Sequence, residues 1–236
     1  MVSTDMSRPA VADVVHEWSQ RPGRAVIFDF NGTLSDDEPI LLAIFTELFA
    51  EHLGWQMTPE EYRSRLLGHS DREIVEMAVR QRRGEDPELV EELLALRRER
   101  YKEIVASRSP ITDAAAGLVE RLARDDIPMA IVTGAQREDV LAVLGSCSTG
   151  ELINLLVTEE DVAQGKPDPE GFLLGADLLG AEPEAILVFE DSIPGIRGAL
   201  TAGMRCIAVT GDDPQPQVLA EGVAITRRLS IDLLEH

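Results

Sequence analysis

Six short, β-branched apolar runs punctuate this chain, each bounded by polar or turn residues. They are RAVIFDF (24–30), IPMAIVT (127–133), INLLVT (153–158), AILVFE (185–190), RCIAVT (205–210) and GVAIT (222–226). Unbroken apolar runs of this length suit strands covered on both faces. Helical patterns separate most of them. Residues 113–124 carry Leu118 and Leu122; residues 169–180 carry Phe172, Leu173, Ala176 and Leu179. Strand and helix in alternation predict an α/β fold, with a Rossmann-like parallel sheet and helices on both faces. At 236 residues, the length suits about one to two domains.

The alternation is interrupted between Leu34 and Ile127, where no convincing strand occurs. Helix starts fill the gap instead. Thr58-Pro59-Glu60-Glu61 is a capping box with Pro at the first helical position, and Ser70-Asp71-Arg72-Glu73 is a second box. Asp86-Pro87 opens a further helix, and Pro39 to Leu53 form another. The expected organisation is an α/β core of residues 23–36 and 113–236, interrupted by an inserted all-α helical cap at 37–112. Residues 1–22 form an N-terminal extension, in which Val11, Val14, Val15 and Trp18 have the spacing of a short docking helix. The two crossings, near 35–39 and 110–114, are the hinge candidates.

Charge narrows the partners. With 22 basic and 43 acidic side chains the formal net charge is −21. So acidic a surface repels polyanions, which argues against nucleic acid. No apolar run approaches the ~20 residues that span a bilayer, so no membrane partner is expected. The N-terminus lacks the basic start and apolar stretch of a secretion signal. Cys147 and Cys206 are too few and too far apart to suggest a disulfide framework or a cysteine metal site. The expected location is cytoplasmic. Of the basic residues only Lys102 and Lys166 are lysines. Lys102, among Arg97, Arg98 and Arg100, has the character of a solvated helix face.

Parallel α/β sheets bind ligands at the carboxyl ends of their strands. The first run ends Asp29-Phe30-Asn31-Gly32-Thr33, the second Thr133-Gly134 and the fourth Glu190-Asp191-Ser192; Lys166 lies in the GKPDP segment between the third and fourth. Three carboxylates, a hydroxyl and an ammonium therefore converge on one rim. Carboxylates from two strand ends suit a hard, Mg²⁺-type cation. Beside it an Asp carboxylate can attack phosphorus, while a hydroxyl and a lysine hold the transferring oxygens. Gly32 permits close backbone approach to the phosphate. Asp168-Pro169 reads as a helix N-cap with first-turn proline, Ser192 as a turn or cap, and Cys206 as a packed small hydrophobe.

FDFNGTL, IVTGA, GKPDPEGF and VFEDSIPGIRGALTAGM resemble, in order and spacing, the four motifs of the haloacid dehalogenase-like (HAD) hydrolase superfamily. The insert resembles the helical cap of its subfamily I. NGTLSDDEP is similar to the DGTLxDSEP of the beta-phosphoglucomutase and sugar-phosphate phosphatase branch. The resemblance implies a Mg²⁺-dependent phosphohydrolase acting on a small phosphorylated metabolite through an aspartyl-phosphate. Asp29 would be the nucleophile. Thr133 and Lys166 would hold the phosphoryl group, with Gly32 and Gly134 beside it. Asp29, the Asn31 carbonyl, Asp191 and Glu190 would surround the metal. In the cap, Leu67-Gly68-His69-Ser70 resembles the specificity loop, making His69, Ser70 and Arg72 substrate-binding candidates.

The sequence departs from the family at Asn31, where the family has an acid/base Asp. A neutral amide can only donate and accept hydrogen bonds, and general acid–base help is worth about 10²–10⁴-fold. Slow turnover or an accumulating phosphoenzyme is expected, unless Asp36, Asp37 or His69 supplies the proton. Two alternatives stay open: a sugar phosphomutase, against which Thr33 leans, and a catalytically weakened domain that binds a phosphorylated ligand.

Overall fold

The computed structural model describes residues 8–66, 69–212 and 214–235. Every apolar run forms a strand: β1 Ala25–Phe28, β2 Met129–Val132, β3 Leu155–Val157, β4 Ile186–Glu190, β5 Arg205–Val209 and β6 Ala224–Thr226. All pair in parallel, in the order β3-β2-β1-β4-β5-β6. The chain builds outward from β1 to β3, then returns to the other side of β1 with β4. The order therefore reverses at β1 and β4, which is where such sheets open a crevice.

Both faces of the sheet are covered, which is why the runs are apolar without alternation. Val26, Phe28, Ile131, Leu187 and Phe189 pack into one core, while Ile27, Ala130, Val132, Ile186 and Val188 pack into the other. Phe28 and Phe189, adjacent across the β1–β4 register, stack with ring centroids 5.5 Å apart. On the second face lie α8 (Glu170–Leu179) and α9 (Ile193–Thr201), which contribute Phe172, Ala176, Ile196 and Ala199. The first face receives α1 (Val11–Ser19), α6 (Asp113–Arg124) and α7 (Arg137–Leu144). A short α10 (Pro216–Ala220) precedes β6.

Between β1 and α6 the described residues contain no strand. They form α2 (Glu38–Leu53), α3 (Pro59–Arg65), α4 (Asp71–Arg83) and α5 (Pro87–Ser107). Both capping boxes form: Thr58 with Glu61, and Ser70 with Glu73. Asp86 caps α5 by accepting from the Leu89 amide at 3.1 Å. Gly54 ends α2 in the left-handed conformation, φ 62°, where glycine carries no Cβ penalty. Phe45, Phe49 and Trp55 stack in sequence inside this insert. The two crossings touch each other, since the Asp36 amide donates to the Pro110 carbonyl at 3.1 Å.

One local reading needs adjustment. Helix α8 begins at Glu170, so Pro169 is its N-cap and not its first turn; Asp168 still satisfies the end by accepting from the Glu170 amide at 2.9 Å. Lys102 keeps 41% of its side chain exposed, whereas Arg97, near it in the sequence, is 3% exposed.

The N-terminal helix is part of the core. Val15 and Trp18 are buried with strand residues, and Trp18 Nε1 donates to the Ala25 carbonyl at 3.1 Å. Trp18→Ala removes both the packing and that donor. It should cost about 3–5 kcal/mol, read as a fall in the urea midpoint at unchanged slope.

Candidate active site

Asp29 follows β1 directly, and its amide continues the ladder by donating to the Phe189 carbonyl at 2.9 Å. That register sets Asp29 beside Glu190, the last residue of β4. Lys166 reaches in from the loop before α8. Its ammonium donates to Asp29 Oδ1 in a short contact and to Glu190 Oε1 at 2.6 Å. Glu190 Oε2 accepts from the Ser192 amide at 2.6 Å. Ser192 in turn caps α9, its hydroxyl accepting from the Gly195 amide at 3.1 Å. A Cβ on Gly195 would sit 1.6 Å from Glu190 Oε1, so a side chain there is incompatible with this turn.

Asp191 completes the group. Asp29, Glu190 and Asp191 each offer a carboxylate oxygen within 4.8 Å of the others. Gly32 makes this approach possible: its φ is +77°, and a Cβ would stand 2.3 Å from Asp191 Oδ2. The close approach that this glycine permits here is to the Asp191 carboxylate rather than to a phosphate. Thr33 hangs beside the same residue, Oγ1 to Asp191 Oδ1 at 3.4 Å.

The electrostatics follow from packing acids in a buried place. Burial raises the Asp29 pKa to about 7, opposed by Lys166 and reinforced by Glu190. Burial also pushes Asp191 well above the carboxylate range, with Asp29 and Glu190 adding to the rise. For Lys166 burial pulls down, but Asp29 and Glu190 outweigh it and hold the ammonium above the ordinary lysine value. Three carboxyl groups beside one ammonium supply more acidic oxygens than Lys166 alone can balance once they ionise. That donor set fits a hard divalent cation.

Thr133 ends β2. Its hydroxyl accepts from the Ala135 amide at 3.1 Å, which leaves the O–H free to donate. Thr133, Gly134 and Lys166 all line one cleft of about 260 Å³, whose lining also includes Val157, Val162 and Phe172. Asn31 lies two residues past Asp29. Its Nδ2 donates to Asp37 Oδ2 at 2.6 Å, and Tyr101 donates to the same oxygen at 2.5 Å. Burial raises the Asp37 pKa, while both of these hydrogen bonds oppose the rise.

The insert candidates sit differently. Leu67 and Gly68 lie outside the described residues. His69 is exposed, 3.7 Å from Glu73. Ser70 spends its hydroxyl on the capping box. Arg72 pairs with Glu91 at 2.8 Å and Glu76 at 3.7 Å on the outer side of α4 and α5. Among Asp36, Asp37 and His69, it is Asp37 that is hydrogen-bonded to Asn31.

Several residues went unread in the sequence. Arg97 on α5 pairs with Asp71 of α4 at 2.8 Å and, closer still, with Asp139 of α7. Its guanidinium lies 4.6 Å from the ring centroid of Tyr101. Lys102, one turn further on, meets Glu138 of α7. The available signal was the Arg97–Tyr101 spacing of four, which stacks two residues on one helix face.

Comparison with known proteins agrees with this geometry. The sequence model described as "Haloacid dehalogenase-like hydrolase" matches residues 26–209. The chain belongs to that family. CbbY of Rhodobacter capsulatus is 32% identical over 191 residues, covering 78% of this chain and 84% of its own. Validoxylamine A 7'-phosphate phosphatase of Streptomyces hygroscopicus subsp. limoneus is 29% identical over 209 residues, covering 88% of this chain and 94% of its own. CbbY from Rhodobacter sphaeroides, solved with phosphate, superposes with a TM-score of 0.77 at 26% identity, covering 90% of this chain and 99% of its own. A second structure of it, a variant with xylulose-(1,5)bisphosphate, gives 0.75 at 27% identity over 90% and 95%. In this haloacid dehalogenase-like hydrolase the matched span begins in β1 and ends in β5, and so encloses every strand-end residue described above.

The raised Asp29 pKa has a stability consequence. Between about pH 4 and 7 the folded chain holds a proton that the unfolded chain has lost, so this group's ionisation costs stability as pH rises. In EDTA, Asp29→Asn should raise Tm relative to wild type more at pH 8 than at pH 5. Equal effects at both pH values would contradict this reading.

Proposed function

We propose that this chain is a phosphatase for a small phosphorylated metabolite of the sugar-phosphate kind, with Asp29 as its covalent nucleophile and Mg²⁺ as its cofactor. The observation that carries the reading is the convergence of Asp29, Lys166, Glu190 and Asp191 at the strand-order reversal. The activity for which the validoxylamine A 7'-phosphate phosphatase is named and the ligands of the solved CbbY structures are in keeping with that substrate class.

In this reading Lys166 fixes the Asp29 carboxylate and balances part of its charge. An Asp29 oxygen forms the new bond to phosphorus while the bond from phosphorus to the ester oxygen breaks. Thr133 donates its free hydroxyl proton, and Lys166 an ammonium proton, to the phosphoryl oxygens, where charge spreads in transfer. Glu190, its oxygens bonded to Lys166 and Ser192, holds the ammonium and the turn. Asp29, Asp191 and the Asn31 carbonyl, with Glu190 adjacent, would hold Mg²⁺, which when bound screens the anionic nucleophile from the anionic phosphate. Water then attacks the aspartyl-phosphate and returns phosphate and free Asp29.

The ester oxygen leaves without help from Asn31, whose amide has no acidic proton to give. Turnover is therefore slow compared with a site holding an acid there, and the phosphoenzyme persists. Asn31 also favours a second reading, in which the domain chiefly binds its phosphorylated ligand. Phosphate release from a panel of sugar phosphates, with Mg²⁺ and with EDTA, separates the two. The expected result is metal-dependent release that Asp29→Asn reduces to background. Tight binding without release supports the second reading, and release that survives Asp29→Asn rules out Asp29 as nucleophile.

A further inference from the structure

The amide at Asn31 is not free to choose its orientation. A carboxamide has two chemically opposite ends: the NH₂ donates and the oxygen accepts. Which end faces a ligand is decided by what holds the other. Asp37, completely buried, supplies an oxygen that receives Asn31 Nδ2 at 2.6 Å and the Tyr101 hydroxyl at 2.5 Å. A carboxylate only accepts. It therefore selects the NH₂ end of Asn31, whereas a hydroxyl or an amide at 37 would take either end.

Asp37 is itself held on several sides. It stands at the start of α2, where its carbonyl accepts from the Ile40 and Leu41 amides. Tyr101 comes from α5, its ring beside the buried Arg97 guanidinium, and Arg97 is tied to Asp71 and Asp139. The chain Asn31–Asp37–Tyr101–Arg97–Asp139 thus runs from the reaction centre through the helical insert to α7.

We propose that Asp37 is the positioning residue for Asn31, holding the carboxamide so that its oxygen faces the phosphoryl group as an acceptor. This rests on the phosphatase reading. Asn31 then orients the water that attacks the aspartyl-phosphate by accepting one of its hydrogens, and offers no hydrogen to the leaving ester oxygen. It follows that Asn31 and Asp37 act as a matched donor–acceptor pair, with the carboxylate at 37 and the amide at 31. Asn31→Asp alone sets two carboxyl groups at hydrogen-bond distance, where like charge makes them share one proton. Exchanging the two residues, Asn31→Asp with Asp37→Asn, keeps the pair matched and places the carboxylate on the reacting side.

Two measurements test this. The chain has only two asparagines, Asn31 and Asn154, so protein labelled with ¹⁵N-asparagine shows two side-chain amides. One Asn31 proton should be shifted downfield and slow to exchange. Asp37→Ala should abolish this, and Tyr101→Phe should retain it. An Asn31 amide that is solvent-like in wild type, or unchanged in Asp37→Ala, overturns the proposal.

The second measurement is the decay of phosphorylated enzyme, followed by intact mass after acetyl phosphate and Mg²⁺ are removed. The exchanged double variant should lose phosphate at least tenfold faster than Asn31→Asp alone, a margin below the about 10²–10⁴-fold of full general acid–base help because both variants carry a carboxyl at 31. Equal decay overturns the pairing. A folding defect in Asp37→Ala does not obscure the outcome, because the exchange variant and Tyr101→Phe keep the buried volume. Should wild type and every variant stay unphosphorylated, the phosphatase reading falls, and the amide spectrum alone decides whether Asp37 holds Asn31.

Discussion

One ammonium makes this arrangement of acids tolerable. Lys166 is placed between Asp29 and Glu190, and without it neighbouring strand ends would press buried carboxylates together unpaired, a costly state. The same contact anchors the loop before α8 to the middle of the sheet, since β1 and β4 are its two central strands. Glu190 passes the constraint on through Ser192 to the first turn of α9. Placement of the nucleophile, the turn after β4 and the start of a helix are thus one connected problem, with Gly195 as the position where no side chain fits.

Much of this is local, and local information is legible in sequence. A strand covered on both faces reads as an apolar run, and a capping box reads as Ser or Thr followed three residues later by Glu. The six strands and the boxes at Thr58 and Ser70 were recoverable for that reason. The strand-end residues were recoverable because the fold class dictates which ends of the strands meet. Family membership then agreed with the motif reading.

What stayed hidden is long-range. Arg97 sits among other arginines on a helix with charges on most sides, so a window of sequence shows a solvated face. Its burial depends on Asp139, distant in the chain and on a different helix. Asp37 reads as one acid in an acidic stretch, and only the fold shows that it receives Asn31 from one side and Tyr101 from the other. Arg72, by contrast, had suggestive position, yet its glutamate partners draw it to the outside of the insert.

The double attachment of Arg97 bears on how the two parts of the molecule meet. One of its carboxylates, Asp71, lies with it on the insert; the other, Asp139, belongs to the core. On the insert side the guanidinium keeps Asp71 as a counter-ion independently of its contact with Asp139. Asp139 lies in the first turn of α7, where the exposed amides of a helix start favour an anion. The contact thus has a charge partner on the insert side and a favourable helix start on the core side.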